Sequence, residues 1–459
     1  MSDTRAMPWV STDNMALLAD QYQFTMLRAY YEEEMTDRAV FSLFFRKLPE
    51  HRNYQLACGL DDALSFLEQF RFTDDVLSYL ESRDEFDAPF LAWLGELRFR
   101  GDVWALPEGT PVFENEPLLE VEASLPEAQL AESFIMNQVH FQTVLASKAA
   151  RVKRAAGERA VIDFGLRRMH GADAALRSAR AFHVAGLDGT SNMLAGKTYG
   201  VPVTGTMAHS YIQAHDDELD AFRAFVGVYP NTILLVDTYD TLDGVRKVVE
   251  LAEELGDDFQ VRGIRLDSGD LGELARRSRE ILDAAGLDDV RIFASGGLDE
   301  WSVRELVESG APIDGFGVGT SMGVSEDAPA LDIAYKLTAY AGRGRLKLSS
   351  GKRILPGRKQ VFRVEEEGRA VRDIIARADE SGLGRPLLQQ VMKEGERLDV
   401  GRVSLDDARE HAREELSRLP DRILAIAAAE PPYSVSVSES LKEFQERVSK
   451  RVAGKESTA

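Results

Sequence analysis

The sequence predicts an α/β protein: a closed or nearly closed parallel β/α barrel set within an α+β domain drawn from both ends of the chain. Three observations carry this expectation. Short apolar runs recur from about residue 160 to 321, each ending in a polar or glycine-rich loop. Segments of helical spacing lie between several of them, and strand–helix alternation at this spacing implies parallel βα units. The blocks on either side lose that rhythm and mix β-like and helical segments. An open doubly wound sheet is the structural alternative. The expected division is 1–150, 151–337 and 338–459, with the first and last segments sharing one domain.

In the first block, LLADQYQFTMLRAYYEEE reads as an opening helix. AVFSLFFRKL and YQLACGL read as strands, from their apolar, aromatic and β-branched content. DDALSFLEQF and AQLAESFIMNQVHFQTVLASKAARVKRAAG have helical spacing. Between them, RGDVWALPEGTPVFENEPLLEVEA is β-like and punctuated by Pro and Gly. The expected barrel strands are AVIDFG, AFHVAGL, VPVTG, TILLVDT, VRGIRLD, VRIFASGG and IDGFGVGTS. LDGVRKVVELAEEL, LGELARRSREILDAAG and LDEWSVRELVESG are the clearest helices between them. After residue 337, GRLKLSSGKRILPGRKQVFRVEEEG reads as strands around a Pro-Gly turn, and LDDAREHAREELSRL as a charged helix. The last 20 residues are polar and are expected to fray.

Composition narrows the function. The chain has 459 residues, 44% of them apolar, enough for a large core. Its 55 Lys+Arg against 77 Asp+Glu give a formal charge of −22. Nucleic acid and anionic membranes need a basic footprint, so neither is an expected partner. An anionic ligand must instead be held by a local cationic cluster. A single cysteine, Cys58, excludes an intrachain disulfide and a cysteine-rich metal site. The first residues, MSDTRAMPWVSTDN, carry no apolar signal region, and no stretch of 18 apolar residues occurs, so a cytoplasmic location is expected.

In a β/α barrel the chemistry sits in the loops after the strands. Those loops supply Arg167, Arg168 and His170, then Asp188 to Asn192, then Thr206 and His209. Asp237, Thr238 and Asp240 follow, then Arg265, Asp267, Ser268 and Asp270. Ser295, Gly296 and Gly297 come next, and Gly317, Gly319, Thr320 and Ser321 last. Late-strand glycine-rich loops bring backbone amides to one spot and suit phosphate. Arg167, Arg168 and Arg265, with Lys148 and Arg151 on the preceding helix, suit an anion carrying several phosphates. Asp237, Asp267 and Asp270 suit ribose hydroxyls, a Mg²⁺ ion or a forming cation. His170 and His215 are weaker candidates, and His215 reads as a solvated helix residue.

Taken in order, LLADQYQFTM (17–26), FGLRRMHG (164–171), LDGTSNMLAG (187–196), GTMAHS (205–210), VDTYDT (236–241), RLDSGDL (265–271), GVGTS (317–321) and SGKRILPGRKQVFR (350–363) resemble the nicotinate phosphoribosyltransferase family. The resemblance implies a type II phosphoribosyltransferase fold, an irregular α/β barrel with a sandwich domain from both chain ends. It implies transfer of phosphoribose from 5-phosphoribosyl 1-diphosphate (PRPP) to nicotinate, as the entry step of NAD salvage. It further implies Mg²⁺, ATP hydrolysis coupled through a phosphohistidine, and a homodimer. The family's phosphohistidine falls on His209, its nicotinate contacts on Tyr22 and Thr206, and its PRPP contacts on Arg265 and Thr320. Arg167 matches a position important to the family's site. The wording ADQYQFTM, where TDLYQ is more usual, affects no expected contact. A nicotinamide phosphoribosyltransferase is the nearest rival.

Overall fold

The structure is a computed structural model that describes residues 10–348 and 354–454. Lys352 and Arg353 of the SGKRILPGRKQ motif lie outside the described residues. The chain divides into two compact units. One is Met1–Val144, Ala330–Ile423 and Ala428–Ala459; the other is Leu145–Pro329 with Leu424–Ala427. Among the described residues no helix is long and apolar enough to cross a membrane.

The first unit is built on a seven-stranded antiparallel sheet to which both chain ends contribute. Arg38–Phe45 lies between Pro117–Ser124 and Ile333–Tyr340, and Asp102–Ala105 pairs with Gln389–Lys393. The strand Arg38–Phe45 is buried at seven of its eight positions because both of its faces are covered. Phe24, Phe66, Phe90 and Phe134 fill its core, with Phe66 stacked on Phe134 at 4.3 Å. The opening helix begins at Gln21, where Asp20 and Gln23 form a reciprocal capping pair that satisfies the first free amides.

A second, four-stranded sheet carries Lys359–Glu366 beside Arg369–Arg377. Arg363 is fully buried on it. Its guanidinium donates to Asp373 at 2.7 Å, Glu415 at 3.1 Å and the Pro111 carbonyl at 2.9 Å. The Tyr433 hydroxyl donates to Asp373 at 2.9 Å, and its ring stacks on Phe113 at 3.9 Å. Burial, and then the Asp373 charge, push the neighbouring Glu116 well above the usual carboxylate range.

Of the C-terminal residues expected to fray, those up to Val452 are helical, and 455–459 lie outside the described residues. Glu439–Val452 is a helix capped by Ser438, whose Oγ accepts from the Leu441 amide at 3.2 Å. Leu441, Phe444 and Val448 recur at helical spacing; Leu441 and Val448 are buried, and Phe444 packs under Arg377 and Arg447. One apolar stripe outweighs a polar average.

The second unit is a curled parallel sheet, in the order Gly189–Thr190, Ala160–Asp163, Gly315–Val318, Arg291–Ser295, Gly263–Leu266, Ile233–Leu235. Helices such as Thr241–Leu255 and Leu271–Ala284 connect neighbouring strands. The segment around Val203 makes a single parallel bridge, to Thr190. Among the described residues no strand pairing joins it to Ile233–Leu235, so the sheet forms a half-barrel and not the closed or nearly closed barrel expected from seven strand-like runs. AFHVAGL is not a strand. It is the end of the helix Ala172–Val184, and the strand that follows is the two-residue Gly189–Thr190. Phe182, His183 and Val184 are all buried, and an apolar run alone does not separate a buried helix from a buried strand.

Removing Arg363 would leave the buried Asp373 without its cation, while Glu415 keeps Arg385 at 2.9 Å and Arg418 at 2.7 Å. The variant Arg363→Met is expected to lower unfolding free energy by about 3–5 kcal/mol. A denaturant titration that gave a stability within 1 kcal/mol of the parent, a margin set by the roughly 1 kcal/mol median of exposed pairs, would remove that role.

Candidate active site

The carboxyl ends of the parallel strands converge on one constellation in the second unit. The strand Ile233–Leu235 runs on to Asp237, which is buried. Its Oδ2 accepts from the Asp267 amide at 3.0 Å and from the Ser268 hydroxyl at 2.7 Å. Its Oδ1 is buried without a protein partner. Asp267 follows the strand Gly263–Leu266, and its Oδ1 accepts from the Ser295 hydroxyl at 2.5 Å. His209 opens the short helix His209–Gln213. Its Nδ1 shares a hydrogen bond with Thr238 Oγ1 at 3.1 Å. Its Nε2 faces Asp237 at 3.9 Å and Asp267 at 3.8 Å. The imidazole is thus oriented by a hydroxyl on one side and fronted by two carboxylates on the other.

Arg265 joins this group to a cavity. Its Nη1 donates to Thr206 Oγ1 at 2.7 Å and its Nη2 to the Met207 carbonyl at 3.1 Å, while its buried Nε has no partner. Burial lowers its affinity for its own proton, and the charges of Asp267 and Asp237 oppose that effect. The cavity beside it has a volume of about 260 Å³, at the small end for ligand pockets. Ile162, Phe164, Phe293 and Ile233 form apolar walls, and Thr204 to Thr206 line another part. Arg265 lies 5.7 Å above the Phe164 ring. Asp188, also at the wall, accepts from Lys153 Nζ and the Val161 amide, both at 2.9 Å, so its charge is matched.

Two glycines of the strand Gly315–Val318 make room for the two rings. A Cβ at Gly317 would lie 2.4 Å from the Phe164 ring, and one at Gly315 would lie 2.7 Å from Phe293. Gly317, read from the sequence as part of a phosphate cradle, therefore admits an aromatic side chain. Phe164 and Phe293 were missed as site residues, whereas Thr238 was among the strand-end residues expected there. Phe164 stood inside a motif valued for its arginines, and Phe293 looked like any strand core residue.

The anion-binding candidates divide. Arg167 and Arg168 are exposed on the turn Leu166–Arg168, and Arg168 Nη1 donates to Thr320 Oγ1 at 3.2 Å. Gly296 has φ 90, and a Cβ there would lie 1.8 Å from the Asp267 carbonyl, so only glycine fits. Gly297 has φ 65 and opens onto free space. Gly319 sits close to the Phe164 carbonyl. Asp270 is exposed and caps the helix Leu271–Ala284, accepting from the Glu273 amide at 3.0 Å. Tyr22 belongs to the first unit and donates to Glu132 at 3.0 Å; partial burial and then the Glu132 charge hold the phenol protonated. His170 is exposed. His215 lies in a bend rather than a helix, its Nδ1 2.9 Å from the Tyr211 carbonyl.

Lys148 and Arg151 are not free to bind phosphate. Lys148 is buried against Glu300 at 2.5 Å and Asp327 at 2.7 Å, and Arg151 pairs with Glu300 at 3.0 Å. Burial forced each cation onto an internal carboxylate.

Residues 17–140 match the nicotinate phosphoribosyltransferase N-terminal domain, residues 160–360 the nicotinate phosphoribosyltransferase family, and residues 384–445 its C-terminal domain. The chain is 53% identical over 426 residues to a nicotinate phosphoribosyltransferase of Mycobacterium tuberculosis, covering 93% of this chain and 92% of the relative. A nicotinate phosphoribosyltransferase of Bacillus subtilis is 42% identical over 360 residues, covering 77% and 74%. The crystal structure of human nicotinic acid phosphoribosyltransferase superposes with a TM-score of 0.83 at 29% identity, covering 94% of this chain and 99% of that one. With the family matched along most of its length and the half-barrel site in place, the chain belongs to the nicotinate phosphoribosyltransferase family.

Proposed function

We propose that the protein transfers phosphoribose from PRPP to the ring nitrogen of nicotinate, giving nicotinate mononucleotide and diphosphate in NAD biosynthesis by salvage. The observation that carries this reading is the small aromatic-walled cavity with the Arg265 guanidinium at its edge. A flat ring satisfies the Phe164 and Phe293 walls, and a carboxylate matches a buried cation whose Nε lacks a partner, so Arg265, expected from the resemblance to contact PRPP, is assigned here to the nicotinate carboxylate. Nicotinamide offers a neutral amide instead and leaves that cation unmatched.

In the transfer, the pyridine nitrogen lone pair forms the new bond to the ribose anomeric carbon. The bond from that carbon to the diphosphate oxygen breaks, and its electron pair leaves with diphosphate. No proton need move. Positive charge develops on the ribose ring, and Asp237 or Asp267 is positioned to stabilise it. Arg167, Arg168 and Thr320, with the turns at Ser295 to Gly297 and at Gly319, suit the phosphates.

The donor set fits Mg²⁺: Asp237 Oδ1 is an orphaned buried oxygen, and Asp267 Oδ2 faces the same imidazole. Mg²⁺ keeps water and substrate phosphate in its shell, so two protein carboxylates suffice. When bound it would neutralise charge on the leaving diphosphate.

ATP is the proposed co-substrate. An imidazole nitrogen of His209 would take the γ-phosphoryl group, with ADP leaving, and water would later release phosphate. The two states differ in charge at the site, which couples hydrolysis to substrate affinity. Tyr22 as a nicotinate contact, Asp270 as a group for ribose hydroxyls, Mg²⁺ or a forming cation, the homodimer and the cytoplasmic location rest on the sequence reading.

Three outcomes test the proposal. Diphosphate release should depend on nicotinate, and ATP should enhance it in the parent but not in His209→Ala. Release with nicotinamide alone would change the substrate. The variant Arg265→Gln should raise KM for nicotinate by about 10–100-fold and reduce the preference over nicotinamide, as expected for a lost charge-assisted bond. Asp237→Asn and Asp267→Asn should each lower kcat at least about tenfold, and unchanged turnover in both would remove the carboxylates from the mechanism.

A further inference from the structure

Asp163 ends the strand Ala160–Asp163 and is fully buried. No Lys or Arg pairs with it among the described residues; its partners are neutral donors. Its Oδ1 accepts from the Gly165 amide at 2.8 Å, and its Oδ2 accepts from the Thr190 hydroxyl at 2.7 Å. A buried carboxylate without a cation is costly to keep, so these two bonds need an explanation beyond closing a strand end.

Each bond leads to a different wall of the aromatic cavity. The Gly165 bond turns the chain immediately after Phe164, whose ring lines the cavity beneath Arg265. The turn leaves no slack: a Cβ at Gly165 would lie 2.5 Å from Met169 Cε and 3.1 Å from Asp163 Oδ1. The Thr190 bond reaches the other wall. The Thr190 amide donates to the Pro202 carbonyl at 3.0 Å, and its carbonyl accepts from the Thr204 amide at 3.0 Å. Thr204, Gly205 and Thr206 line the cavity there, and Thr206 receives Arg265.

We propose that Asp163 is a positioning residue for the aromatic substrate: one buried carboxylate holds Phe164 on one side of the cavity and the Thr204–Thr206 segment on the other. The inference rests on the nicotinate reading given above. Asp163 touches neither substrate nor the reacting atoms. It acts through Thr190 and the Gly165 turn, and the wall spacing it sets governs how well a ring fits between them.

The test is steady-state kinetics on the full chain, with nicotinate and PRPP varied separately and folding checked by thermal melting. Asp163→Asn keeps the size but offers one acceptor to two donors. It should raise KM for nicotinate about tenfold, the effect of one buried bond lost, while KM for PRPP stays within about twofold. Thr190→Val should raise the nicotinate KM and Thr190→Ser should restore it. The double variant Asp163→Asn/Thr190→Val should be no worse than Asp163→Asn alone, because both cut the same link. A role in stability alone would lower the melting temperature and kcat and leave the nicotinate KM unmoved, and that result in a folded Asp163→Asn overturns the inference. Should Asp163→Asn fail to fold, equal nicotinate KM values for Thr190→Val and Thr190→Ser overturn it. No nicotinate-dependent release by the parent overturns the substrate reading itself.

Discussion

The site is organised around a guanidinium held in a place poor in water. Arg265 projects from a parallel strand over an aromatic wall, with two of its nitrogens tied to Thr206 and Met207 and its Nε unsatisfied. A buried cation with spare donors is destabilising until an anion arrives. Other features follow from accommodating it. Gly315 and Gly317 leave space for Phe293 and Phe164, so the wall beside the cation is built from rings rather than water. Asp237 and Asp267 lie close enough to keep the arginine charged against its own desolvation. Their carboxylates are in turn held by Ser268, Ser295 and the Asp267 amide.

The same carboxylates give the site two halves of opposite sign. Arg167, Arg168 and Arg265 supply positive charge, while Asp237 and Asp267 front the Nε2 of His209. A phosphoryl group approaching that imidazole meets two negative charges, an arrangement that works only with a cation between them. The Mg²⁺ ion of the proposal would offset that repulsion. On a chain of net charge −22 these arginines are a local exception, and burial limits screening by salt at Arg265 but not at the exposed Arg167 and Arg168.

Much of this was legible in the sequence because strand ends in a β/α unit are marked by abrupt changes from apolar to polar residues. VDT, RLDSGD and ASGG gave Asp237, Asp267 and Ser295 their positions, and the structure brings those three into hydrogen-bonded contact. Failures occurred where local pattern is silent about tertiary neighbours. The run AFHVAGL has no periodicity that separates a buried helix from a strand. Lys148 and Arg151 looked like phosphate ligands because nothing nearby in sequence announces Glu300, about 150 residues away, a separation that only the fold closes. The C-terminal helix was hidden by its polar average, although Leu441, Phe444 and Val448 keep helical spacing.

Glycine shows the limit most clearly. In the late loops glycine was read as a means of bringing backbone amides to phosphate. Gly296 has the left-handed backbone that such a turn requires, and the Asp267 carbonyl excludes any side chain there. Gly317 has an ordinary backbone and is small for a different reason, since the Phe164 ring occupies the place of its side chain. The residue type is identical, and only the neighbouring strand distinguishes them. The turn after Ser295 and the seat of the Phe164 ring are thus set by two glycines, one through its torsion and the other through its missing Cβ. This is how one half-barrel edge can present a polar cradle and an apolar slot within a few residues of each other.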